Sequence, residues 1–140
     1  MKKEMVLSLI AKQSYIGQEP DVIELVTDGV LENTEKGWSI SYEESALTGL
    51  EGVNTNFLLE DNSVTLTRTG KLNSQMYFRE GVSHDSLYEM EFGALMLTVC
   101  ATQISWDISF QGGIVDLQYK IDIEQSAAGT VDYHLEIKQK

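Results

Sequence analysis

Val115-Asp-Leu-Gln-Tyr-Lys-Ile-Asp-Ile123 alternates without a break: Val115, Leu117, Tyr119, Ile121 and Ile123 take one parity, and Asp116, Gln118, Lys120 and Asp122 take the other. A strand turns successive side chains to opposite faces, so this stretch has one face for a core and one for water. Downstream, Val131, Tyr133, Leu135 and Ile137 alternate with Asp132, His134, Glu136 and Lys138. Upstream, Ile104, Trp106, Ile108 and Phe110 alternate with Ser105, Asp107 and Ser109. The pattern continues back through Met76 and Phe78, through Val64, Leu66 and Arg68, through Val53, Thr55, Phe57 and Leu59, to Trp38, Ile40 and Tyr42. Residues 5–11 and 22–31 are apolar on both parities, which suits strands covered on both faces or strands that close a barrel. No stretch has the period of an amphipathic helix, and Ser45–Leu50 has room for one short turn.

Turn-forming residues punctuate these runs: Glu35-Lys-Gly37, Gly49-Leu-Glu-Gly52, Glu60-Asp-Asn-Ser63, Gly70-Lys-Leu-Asn73, Glu80-Gly81, Ser83-His-Asp-Ser86, Gly112-Gly113 and Ala127-Ala-Gly129. Gly112-Gly113 reads as a tight hairpin turn. Short strands joined by short turns make a meander, and closing the meander hides its edges. The expectation is an all-β fold, an antiparallel meander barrel of about 8–10 strands, with residues 1–140 as a single domain.

The 140 residues carry 10 Lys and Arg against 22 Asp and Glu, a net charge of −12. Both halves of the chain are acidic, and no basic arm or patch stands out. Such a surface repels phosphate backbones and anionic lipid, so neither nucleic acid nor membrane is expected as a partner. The single cysteine, Cys100, excludes an internal disulfide framework. It sits in an apolar run and reads as a buried, inert thiol. Met5–Ala11 reads as a first strand rather than a signal peptide: Glu4 interrupts the basic flank and no small-residue cleavage site follows. The chain therefore reads as cytoplasmic.

Several blocks of residues resemble the YwiB-like family of small bacterial proteins: Tyr42-Glu-Glu-Ser45, Leu50-Glu-Gly-Val-Asn-Thr55, Val64-Thr-Leu-Thr-Arg68-Thr-Gly70, Met76-Tyr-Phe78, Tyr88-x-x-x-Phe92-Gly93 and Gly113-x-x-x-Leu117-x-Tyr119. The resemblance implies a calycin-like, lipocalin-type barrel of undefined function, with no catalytic residues to transfer. A lipocalin's Gly-x-Trp on the first strand is absent; Gly37 and Trp38 are adjacent and come later in the chain.

Arg68 is the most informative side chain. It shares the apolar parity of Val64 and Leu66, where a cation has to be paired or solvated by a cavity. It reads either as an anion-binding group or as half of a structural ion pair, with Glu44 as its partner on the inward parity. Tyr42, Glu44, Thr55, Tyr88, Tyr119 and Tyr133 also fall on that parity, and with Trp38 and Trp106 they would line an amphipathic interior. That interior would hold a small, partly apolar or anionic ligand, or be a filled core serving a structural or protein-interaction role.

No catalytic constellation or cofactor motif is visible, so the chain is not expected to be an enzyme and no cofactor is expected. His84-Asp85 reads as a solvated loop, and His134 lies on the wet parity. Glu43 and Glu44 face opposite sides, while Glu89 and Glu91 share a face without further oxygen ligands for a metal. The charge pattern makes one prediction. Titrated with duplex DNA, single-stranded RNA or anionic vesicles near physiological salt, the protein should show no saturable binding; salt-sensitive saturation would contradict the reading.

Overall fold

Ten strands form, in chain order β1 (Lys2–Tyr15), β2 (Asp21–Asn33), β3 (Trp38–Glu43), β4 (Val53–Glu60), β5 (Ser63–Gly70), β6 (Ser74–Phe78), β7 (Ser83–Met90), β8 (Gly93–Ser109), β9 (Gly112–Ile123) and β10 (Ser126–Gln139). The computed structural model describes all 140 residues. The one helical element is a single 3₁₀ turn, Ala46–Thr48, capped by Ser45, whose hydroxyl accepts from the Leu47 amide at 3.2 Å. It lies inside the stretch expected to hold a short turn.

All the strands belong to one antiparallel sheet in the order β6-β5-β4-β3-β2-β1-β10-β9-β8-β7. Every strand except β7 neighbours the one before it in sequence, and β1 and β10 pair from Met5↔Gln139 to Tyr15↔Gly129. The meander therefore bends into a ring whose seam falls between β6 and β7. At the seam, Asn73 and Glu89 exchange two backbone bonds of 2.9 and 2.8 Å, and the Ser86 hydroxyl donates to the Gln75 carbonyl at 2.7 Å. These bonds replace a continuous ladder and leave the barrel nearly closed.

Inward side chains fill one half of the barrel. Phe57, Leu66, Phe78, Leu117 and Leu135 are among the fully buried ones. At the end beyond them, Trp38 meets the edge of Phe110 at a centroid distance of 5.0 Å, and the Trp106 indole donates to the Glu60 carbonyl at 3.2 Å. The two-sided apolar runs resolve differently from a doubly covered strand. β1 is a closing strand, and the outward Ile10, Val22, Val26 and Val30 are exposed.

Four local expectations are corrected. Phe110 and Gln111 make the β8–β9 turn, and Gly112 and Gly113 open β9 behind it. Glycine is needed there because a Cβ on Gly113 would strike the Asp107 carbonyl oxygen. Ala127–Gly129 is not a turn; it lies within β10 at a bulge, and the turn is Glu124-Gln125. Ser83–Ser86 is the start of β7, polar because it borders the seam, with Ser83 opposite Cys100. Cys100 lies between the buried Val99 and Ala101, so it points outward and is only half-buried.

Glu124 and Gln125 both have positive φ, 50° and 68°. Consecutive left-handed residues are what a two-residue hairpin turn needs, and a residue with a Cβ is strained there by roughly 1–2 kcal/mol. Part of that strain is offset by the larger chain entropy of glycine in the unfolded state. Gln125→Gly is accordingly expected to stabilise the protein by about 0.5–1 kcal/mol, read from the urea midpoint. An unchanged or lower midpoint would mean the turn is not held in this conformation.

Candidate functional site

Residues on adjacent strands line up across the barrel wall. Tyr42 on β3 is opposite Thr55 on β4, Thr55 is opposite Arg68 on β5, and Arg68 is opposite Ser74 on β6. Glu44 follows β3, its amide donating to the Val53 carbonyl at 2.8 Å. Because side chains alternate, Tyr42, Glu44, Thr55 and Arg68 all point to the interior. Arg68 and Glu44 are each only 7% exposed. The guanidinium is therefore a buried charge, and a buried charge has to be compensated locally.

Glu44 and Tyr133 compensate it from different directions. Glu44 Oε2 stands 3.9 Å from Arg68 Nε and accepts from the Thr55 hydroxyl at 2.6 Å. Arg68 Nη2 donates to the Tyr133 hydroxyl at 2.9 Å. β5 and β10 lie five strands apart in either direction round the ring, so this bond is a strut across the interior. Tyr133 stacks on Tyr119 at 6.3 Å and meets the edge of Phe57 at 6.0 Å, which holds the far end of the strut.

Above the strut the barrel is hollow. A cavity of about 450 Å³ opens at the end where β1 passes into β2, β3 into β4, β7 into β8 and β9 into β10. Its volume is within the ~300–1,000 Å³ range of small-ligand pockets. Leu9, Ile23, Leu95, Leu97 and Ile121 supply apolar wall, and Arg68, Glu44, Tyr15, Tyr42, Tyr88, Tyr119 and Tyr133 supply the polar groups. Both oxygens of Glu44 are shut off: Oε2 is held by Thr55, and Oε1 is sealed from solvent without a hydrogen bond. Tyr42 Oη, Arg68 Nε and Ser74 Oγ are likewise sealed and unpaired. Arg68 Nη1 has no protein partner either, yet it is not among the sealed atoms. The guanidinium is held from behind and open in front.

Burial raises the hydroxyl pKa of Tyr42, and Glu44 beside it adds to the rise. Burial likewise raises Tyr15, Tyr88 and, well above the usual phenol range, Tyr119. Burial works against the Arg68 cation, but Tyr133, Tyr119 and Glu44 together outweigh it and hold its pKa above the ordinary value. At neutral pH the cavity thus presents a cation and protonated phenols, all of them hydrogen-bond donors.

Of the residues read as interior-lining from sequence, Arg68, Glu44, Tyr42, Tyr88, Tyr119 and Tyr133 come together at this cavity. Thr55 lies behind it, holding Glu44. Trp38 and Trp106 do not line it; they close the opposite end of the barrel, where the Phe110 edge and the Glu60 carbonyl hold them. Tyr15, Gln13 and Asp21 also line the cavity and were not expected there. The inward parity of Leu7, Leu9 and Ala11, continued up β1, passes through Gln13 to Tyr15 and would have found two of them.

His84 and Asp85 diverge. His84 meets the edge of Tyr77 at 4.6 Å, and Asp85 accepts from the Thr98 hydroxyl at 2.7 Å. His134 is outside the barrel with Nδ1 2.6 Å from Asp116 Oδ1, and that bond raises its pKa, with Glu136 adding to the rise.

Removing one partner of the buried pair strands the other. Arg68→Ala should destabilise the protein by about 3–5 kcal/mol, whereas Arg68→Met combined with Glu44→Leu should cost far less. Urea midpoints decide it: an unchanged midpoint for Arg68→Ala would place the guanidinium in solvent.

The family described as Domain of unknown function (DUF1934) matches residues 8–137. No curated protein matches the sequence. The crystal structure of the ywiB protein from Bacillus subtilis superposes with a TM-score of 0.87, covering 99% of this chain and 93% of that one at 20% sequence identity. Similarity at that identity speaks for a shared barrel fold.

Proposed function

The chain belongs to the family described as Domain of unknown function (DUF1934), and we propose that its barrel is a receptacle for a small, partly apolar molecule bound at the hollow end. The observation that carries this reading is the open front of Arg68. A guanidinium has five N–H donors, and here a single one of its nitrogens makes a hydrogen bond within the protein, although the side chain is almost wholly buried. A filled structural core leaves no room for such an arrangement, and the 450 Å³ cavity in front of Arg68 supplies it. Apolar walls give non-directional affinity, and a few convergent polar groups fix orientation.

The role is binding rather than catalysis. The Glu44 carboxylate borders the cavity, but its side chain is almost wholly buried, with Oε2 taken by the Thr55 hydroxyl and Oε1 sealed. No helix is long and apolar enough to cross a membrane. We place the barrel in the cytoplasm, a compartment that suits its one free thiol.

The fluorescent probe 1-anilinonaphthalene-8-sulfonate tests the receptacle. Leu95 lines the cavity and is only partly buried, so Leu95→Trp should fill space without disrupting the packed half of the barrel. The probe is expected to bind one per chain and to lose at least about tenfold in affinity to Leu95→Trp, a change of ~1.4 kcal/mol. Unchanged far-ultraviolet dichroism would verify the fold. Equal affinity for both proteins would place the probe elsewhere and remove the support for a receptacle.

A further inference from the structure

We propose that the molecule held in this cavity is a carboxylate, with its head on Arg68 and its apolar body toward the open end. The inference rests on the receptacle reading and specifies the chemistry of its occupant. The groups lining the cavity with free hydrogen-bonding capacity next to the guanidinium can all donate: Nη1 of Arg68 and the hydroxyls of Tyr15 and Tyr88 have no hydrogen-bond partner in the protein and are not sealed. The Tyr133 hydroxyl accepts from Nη2, which leaves its own proton to donate. The matching acceptors are withdrawn. Glu44 gives one oxygen to Thr55 and has the other buried, so its charge steadies Arg68 from behind without offering an acceptor to a ligand.

A site made of donors selects an acceptor. An ammonium head beside Arg68 would be repelled by the guanidinium, because the nearby carboxylate, Glu44, is already engaged with Arg68 and Thr55. An alcohol would accept one hydrogen bond, but a bond from a cation to an anionic oxygen is roughly twice as strong, and a carboxylate has two oxygens to share between Arg68 and the tyrosines. Asp21 at the entrance is exposed, where water and salt screen it from an incoming anion. Leu9, Leu95, Leu97 and Ile121 surround the space that the apolar body would fill.

Octanoate, 1-octanol and octylamine share a chain and differ only in the head. Each is titrated against bound 1-anilinonaphthalene-8-sulfonate at neutral pH, with the wild-type protein, with Leu95→Trp, and with the double variant Arg68→Met, Glu44→Gln. The double variant removes both buried charges together and so keeps the fold. Octanoate should displace the probe most effectively and octylamine least. The double variant should lose about tenfold or more for octanoate, the size of one hydrogen bond to a charged group, and change little for octanol. Tyr88→Phe, at a partly exposed position, should weaken octanoate several-fold if the double variant fails to fold. If the three compounds displace equally, if octylamine leads, or if none displaces a probe that Leu95→Trp does block, the carboxylate assignment is overturned and the receptacle stands. If Leu95→Trp leaves the probe unaffected, the receptacle itself falls.

Discussion

The hydrogen bond from Arg68 to Tyr133 ties two opposite walls of the barrel together and divides its interior. Below it lie Phe57, Leu66, Leu117 and Leu135, packed and dry. Above it lies a cavity. A cation in such a place is tolerated only with compensation, because removing its hydration costs several kcal/mol even after relaxation. Glu44 supplies the opposite charge, Thr55 holds Glu44 in position, and Tyr133 takes up one side of the guanidinium. Three adjacent strands and one from across the ring are thereby fixed in register by a single charge.

That arrangement depends on how the meander closes. β1 and β10 pair along most of their length, which makes the chain termini neighbours and carries Tyr133 to the wall facing β5. The weak place in the ring is the β6–β7 seam, where side-chain and isolated backbone bonds stand in for a ladder. Arg68 lies one strand from that seam, opposite the buried and unpaired hydroxyl of Ser74. Arg68 and Ser74 thus stand beside the incomplete part of the wall, and Tyr133 reaches Arg68 from the continuous sheet opposite.

Much of this is legible in the sequence because a strand's period is two. Thr65, Thr67 and Thr69 take the outer face, which forces Arg68 inward with Leu66 and Val64, and the same parity brings Glu44 and Tyr133 to the interior. The YwiB-like resemblance agrees with the barrel that forms. Parity, however, names a face and not a height along the barrel. Trp38 and Trp106 share the face of Tyr42 and Tyr119 but lie at the other end, because Trp38 begins the strand that Tyr42 nearly ends. The strut to Tyr133 was beyond reach for a related reason: its partners are 65 residues apart and meet only after the ring has closed. The Glu124-Gln125 turn is not legible because its left-handed residues are neither glycine nor asparagine, and while Gly37, Gly49, Gly52 and Gly81 do mark turns, Gly112 and Gly113 open a strand and Gly129 lies at a bulge.

A crystal structure of the protein grown with octanoate tests the central claim, that Arg68 is held from behind in order to present its front to a carboxylate. The account predicts the carboxylate within about 3 Å of Arg68 Nη1, at charge-assisted hydrogen-bonding distance, with the chain running between Leu95 and Ile121 toward the open end. Octanoate lying in reverse, with its chain against the guanidinium and its head in solvent, or bound only outside the barrel, would contradict it.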